Sequence, residues 1–127
     1  GRTQTMAIIS SEANMRNLDR YKEIARTLAQ GEVSETTARA LANEGKAVVW
    51  IDFGLHSTEV AHGQTAPWMA YNAVSDESEE MRNIRDNVIF LLVPNMNPDG
   101  TTLVANWYMQ HVGTEFEHAP LPELYQK

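Results

Sequence analysis

Residues 50 to 60 read WIDFGLHSTEV, which sets a histidine and a glutamate three positions apart, His56 and Glu59, behind an apolar run. A neutral imidazole nitrogen and a carboxylate oxygen are both good ligands for zinc. Residues three apart share a face once the backbone curls, so a tight turn can aim both side chains at one point. In open α/β sheets, turns at the carboxyl ends of strands are where ligands bind. Gly54, close to Asp52, suits a backbone that must bend sharply. The other reading is an ordinary strand-to-helix turn whose glutamate lies in a first helical turn and answers the macrodipole. Spacing alone does not choose, because His-x-x-Glu arises readily by chance in a chain with four histidines.

The chain has no cysteine, which excludes disulfides and thiolate metal sites and leaves the compartment open. Any metal must be held by His, Asp or Glu. His62 follows Glu59 by three residues and reads as an exposed polar residue. His111, Glu115, Glu117 and His118 gather in HVGTEFEH, but Gly113 interrupts any helix that would align them, and the stretch reads as solvated loop. Ser57 has no local histidine–aspartate arrangement to make it a nucleophile and reads as a cap for the turn.

The elements that must position these residues follow from periodicity. QTMAIIS (4–10) predicts a strand. Met15, Leu18, Tyr21, Ile24, Ala25 and Leu28 recur at helical spacing, with Asn14 as N-cap and Gly31 as stop. SETTARALANEG predicts a second helix between Ser34 and Gly45. KAVVWIDF (46–53) reads as a strand buried on both faces. A helix over 65–76 would carry Pro67 in its first turn, and ESEEMRNIRDN is polar, helical or loop-like. NVIFLLVP (87–94) is the second buried strand and runs into the turn NMNPDG, where proline fixes φ and glycine takes φ > 0. TTLVANWYMQH reads as a helix and GTEFEHAPLPELYQK as an irregular tail. Trp50, Phe53, Trp68, Tyr71, Phe90, Trp107 and Tyr108 fall within or beside these elements and read as core. Strands alternating with helices predict the α/β class: a mixed, largely parallel sheet flanked by helices.

The bulk properties narrow the class. A chain of 127 residues has room for one domain with a core, and 43% hydrophobic residues with three tryptophans argue for a globular protein. The net charge is −7, and no lysine–arginine cluster is dense enough for a nucleic-acid footprint. No apolar run reaches the roughly 20 residues that cross a bilayer. The chain begins with Gly1 rather than Met and reads as an excised piece.

Two stretches, GLHSTE after one core strand and LLVPNMNPDG along the other, together resemble the zinc carboxypeptidases of the carboxypeptidase A type. Order, separation and flanking strands all match, over most of the chain but only the N-terminal part of that family's catalytic domain. The resemblance implies a partial zinc-carboxypeptidase-like fold over 1–127, with His56 and Glu59 as two ligands of a single zinc. Asn97, Pro98, Asp99 and Gly100 would be a structural turn near the site, and the substrate a peptide or protein cut at its C-terminus. It further implies a third histidine ligand, a general-base glutamate and carboxylate-binding arginines downstream. No arginine follows Arg85, so 1–127 is expected to hold no complete catalytic set and to be inactive alone. The related zinc deacylases of N-acyl amino acids place glycine directly after the histidine, where Ser57 stands here. A non-catalytic α/β binding domain is the third reading. The family suggests a secreted or periplasmic protein, and a sheet interrupted part-way predicts self-association through exposed edges.

Overall fold

A computed structural model describes residues 1–121. After β1 (Ala7–Ile9), the Ser11 side chain accepts the Asn14 N–H and caps α1 (Glu12–Arg16). The helix predicted from 14 to 31 is in fact two. Asn17 leaves helical geometry (φ −105°, ψ 15°), and its amide donates to the Ala13 carbonyl at 2.9 Å, a local bond that competes with the backbone ladder. Helix α2 (Leu18–Gln30) then runs to Gly31, whose left-handed φ of 69° ends it as the sequence predicts. Ser34 accepts the Thr37 N–H and caps α3 (Glu35–Glu44). There follow β2 (Ala47–Asp52), α4 (His62–Ser75), α5 (Glu79–Asn87, capped by Ser78), β3 (Val88–Val93) and α6 (Pro98–His111). The tail predicted as irregular is described only to residue 121, and the remainder lies outside the described residues.

The three strands pair in the order β1-β3-β2. Gln4, ahead of β1, donates through its amide to the Met96 carbonyl beyond β3. Ser11, after β1, donates to the Arg85 carbonyl that precedes β3. These two strands are therefore antiparallel. Phe53 donates to Val93 and accepts from Met96, and bonding to two different residues is the parallel pattern. The sheet is mixed and the fold class α/β, as predicted.

The central strand β3 is buried at Ile89, Leu92 and Val93. β2 is not the doubly buried strand its composition suggests: Ala47 through Trp50 are all exposed. It has a single neighbouring strand among the described residues, so apolar content alone misjudged its burial. The prediction for Pro67 is likewise corrected. It lies inside α4 rather than in its first turn, because tight turns from Glu59 onward start the helix earlier, at His62. The aromatic residues are not the core either. Trp50, Trp68, Tyr71 and Tyr108 are exposed. Trp68 and Tyr71 fall on the side of α4 opposite buried Ala66 and Ala73.

Two compact units divide the chain. One comprises Gly1–Ala7, Ile51–Tyr71 and the described residues from Leu92 onward, with Ala66, Leu92, Val93 and Val104 as its core. The other comprises Ile8–Trp50 and Asn72–Leu91, built on Ile9, Ile24, Ala73 and Ile89. In this second unit Asn14 is no N-cap. It is buried, and its amide nitrogen lies within 3.0 Å of Ser10 Oγ and the carbonyls of Arg85 and Asp86. No helix among the described residues is long and apolar enough to cross a membrane.

Helices α2 and α3 are tied by the Arg20 fork, which donates to both oxygens of Glu44 at 2.7 Å. That hydrogen-bonded guanidinium holds the Glu44 carboxyl below its ordinary range. The Ser78 backbone N–H, followed by its hydroxyl, does the same for Asp76. A carboxyl depressed in the folded state contributes stability above its unfolded pKa near 4, and that contribution is lost as pH falls through the folded value. Melting temperature should therefore fall on acidification below about pH 4, and the Glu44→Gln, Asp76→Asn double variant should show a shallower fall. Parallel curves for the two proteins would remove these carboxylates from the account.

Candidate metal centre

The chain leaving β2 turns at Gly54, whose φ is 67°. A side chain there would be strained, and it would also have nowhere to go. A Cβ would lie 2.7 Å from His62 Nε2 and 2.9 Å from Asn95 Oδ1. Two residues later a tight turn closes with the Glu59 N–H donating to the His56 carbonyl at 3.0 Å. This turn brings His56 Nδ1 to 2.8 Å from Glu59 Oε1. The side chains of both are more than half exposed. Two ligands of one zinc, each at about 2.0–2.2 Å, stand roughly 3 Å apart, so the pair has the spacing of co-ligands. Without an ion the same contact is a hydrogen bond, with Nδ1–H as donor and the carboxylate as acceptor. Glu59 lies three residues ahead of α4, so helix-dipole compensation in a first helical turn does not account for it.

Ser57 is 1% exposed beneath the turn. Its hydroxyl accepts the Asn97 amide at 3.1 Å. His62, predicted to be an exposed polar residue, is 8% exposed instead. Its Nδ1–H donates to the Glu59 carbonyl and its ring lies over Gly54. It packs beneath the Glu59 end of the turn because α4 starts at His62 itself, a boundary the sequence did not mark.

Asn97, Pro98, Asp99 and Gly100 do not make a free turn. Asn97 is the N-cap of α6, its Oδ1 accepting the Gly100 N–H at 2.9 Å, and Pro98 begins the helix. Asp99 Oδ1 accepts the Arg2 N–H at 2.9 Å. Gly100 is buried and helical, and its φ is not positive. The predicted left-handed glycine is thus corrected: a Pro at the first helical position and an acidic residue in the first turn are helix-start signals.

Two of the four candidate ligands in HVGTEFEH have other partners. The His111 ring stacks on Trp107 at 4.7 Å and donates to its carbonyl, while Glu117 accepts the Gly113 N–H. Among the described residues, no three His, Asp or Glu side chains form a group that could hold an ion. An open cleft of about 480 Å³ adjoins the turn, lined by Asp52, Phe53, Leu55, Glu59, His62 and Thr65. The chain thus offers two zinc donors beside accessible space, and their chemistry fits the ion as far as two ligands go.

The family model for zinc carboxypeptidases matches residues 1–116. No curated protein and no solved structure matches the chain.

Gly54→Ala should cost roughly 1–3 kcal/mol in urea unfolding, from left-handed strain plus the clash with His62. Gly31→Ala, with similar φ but no atom within 4 Å, should cost only about 1 kcal/mol. Equal losses would mean that the His62 ring and the Asn95 amide yield freely.

Proposed function

The chain belongs to the zinc carboxypeptidase family, and from that premise we propose that it is the N-terminal part of a catalytic domain that releases C-terminal residues from peptides, with His56 and Glu59 as two of its zinc ligands. The observation that carries this reading is the 2.8 Å approach of His56 Nδ1 to Glu59 Oε1 on an exposed turn. When bound, zinc supplies Lewis acidity that polarises a carbonyl and makes water a nucleophile near neutral pH. The chain's own part is to present donors. His56 must offer the Nδ1 lone pair, so the proton it now directs at Glu59 moves to Nε2. Glu59, ionised, offers Oε1 without giving up any bond except the one to that proton. The adjoining cleft admits a peptide to this edge.

Two ligands do not make a catalytic zinc site, which needs three from the protein. In this proposal a third ligand, the general base and arginines that grip the substrate carboxylate come from sequence beyond residue 127. Residues 1–127 alone are then inactive, and their weak ion binding adds little stability. The exposed β2 edge supports a second expectation for this piece: Val48, Val49 and Trp50 present an apolar strand, through which copies pair edge to edge.

In the full polypeptide, His56→Ala and Glu59→Ala should each weaken zinc binding by more than about 100-fold, beyond what loss of an outer partner costs, and abolish release of C-terminal residues. Retained hydrolysis in either variant, or activity confined to N-acyl amino acids, would contradict the reading. For residues 1–127 alone, a chelator should leave the melting temperature almost unchanged, whereas a large drop would reveal a third ligand nearby. Sedimentation should find dimers or larger species that Val48→Lys disperses. A strict monomer at millimolar concentration would end the edge-pairing proposal.

A further inference from the structure

We propose that Asn97 is a positioning residue for the metal-facing pair, gripping the His56 turn with one end of its amide while capping α6 with the other. The inference rests on the zinc reading above but concerns a residue that reading does not use. The orientation of the amide is fixed by its partners. Oδ1 must face the Gly100 N–H, a donor, at 2.9 Å, which leaves Nδ2 pointing toward the turn. There Nδ2 donates to Ser57 Oγ at 3.1 Å and, at the 3.5 Å limit, to the Leu55 carbonyl. Leu55 and Ser57 are the residues on either side of His56, so the amide holds the carbonyl just before the imidazole and the buried hydroxyl just after it.

The grip is firm because both of its ends are anchored. Ser57 is 1% exposed, so its hydroxyl cannot swing out to water in exchange. Asn97 is held by its own N–H donating to Asn95 Oδ1 at 3.1 Å. Its carbonyl accepts the Thr101 N–H at 3.0 Å and the Thr101 hydroxyl at 2.9 Å. Behind it stands a 14-residue helix. Its counterpart at the other end of the turn is His62, whose Nδ1–H holds the Glu59 carbonyl. The exposed pair is thus steadied by two buried or helix-anchored groups. Outer partners of this kind typically alter metal affinity by 10–100-fold.

A purely structural role as a helix cap is the competing account, and the two separate by chemistry. Asn97→Asp and Asn97→Ser each keep an oxygen for the Gly100 N–H and remain good caps, but Asp has no N–H to give Ser57 or Leu55, and the shorter Ser cannot reach the Gly100 N–H and Ser57 at once. In the full polypeptide, both should keep the metal-free melting temperature close to wild type. Both should weaken Zn²⁺ binding about 10–100-fold in chelator competition and shift the visible absorption of the Co²⁺-substituted protein. Ser57→Ala should do likewise, and combining it with Asn97→Ser should add little, since both break the same Asn97–Ser57 hydrogen bond. Unchanged affinity and an unchanged Co²⁺ spectrum in the Asn97 variants would overturn the proposal and leave the zinc site standing. Fully additive losses would also overturn it. If His56→Ala binds Zn²⁺ as well as wild type, the zinc reading itself fails, and this inference fails with it.

Discussion

Backbone at Gly54 adopts a left-handed φ of 67° with the His62 ring and the Asn95 amide packed where a side chain would start. Only glycine lets the chain turn at that angle and that closely. Everything at the candidate site follows from the turn. It ends β2, sends Leu55 to Glu59 past the first turn of α6, and closes the ring of contacts through His62 and Asn97. The residues with chemistry to offer are themselves exposed, and the residues that place them are not. Rigid support beneath accessible donors is the general requirement for a metal site that must also admit a substrate.

Parallel pairing supplies the second half of the arrangement. Because β2 and β3 run the same way where Phe53 meets Val93 and Met96, their carboxyl ends lie side by side. The His56 turn after one strand and the Asn97 cap after the other therefore meet. Ligand sites in open α/β sheets form at such ends for this reason. The Asn-Pro-Asp-Gly stretch, chemically an ordinary turn sequence, is better understood as a helix start whose capping residue also faces the neighbouring loop.

The parts legible in the sequence were those decided locally. Ser34 as a cap, Gly31 as a helix stop and β3 as an apolar strand each follow from a few neighbouring residues. His56 and Glu59 stand out in the sequence because their spacing coincides with a strand end. What stayed hidden depends on distant partners. The burial of His62 requires Gly54 to leave room for its ring, and Asn14 is buried by carbonyls more than seventy residues away. The exposure of β2 depends on which strands lie beside it, which its apolar composition does not report. Asn97 was noticed only as one letter of a turn. A signal was present, since Pro at the next position and Asp after it mark a helix start, but its grip on Ser57 could come only from the fold.

In the proposed reading the bend after β2 offers an imidazole and a carboxylate to the same divalent ion. Anomalous scattering at the zinc absorption edge, from crystals of the full polypeptide grown with zinc, tests it most directly. A peak is expected about 2.0–2.2 Å from both His56 Nδ1 and Glu59 Oε1. A well-occupied peak elsewhere, with those two atoms still hydrogen-bonded to each other, would contradict it.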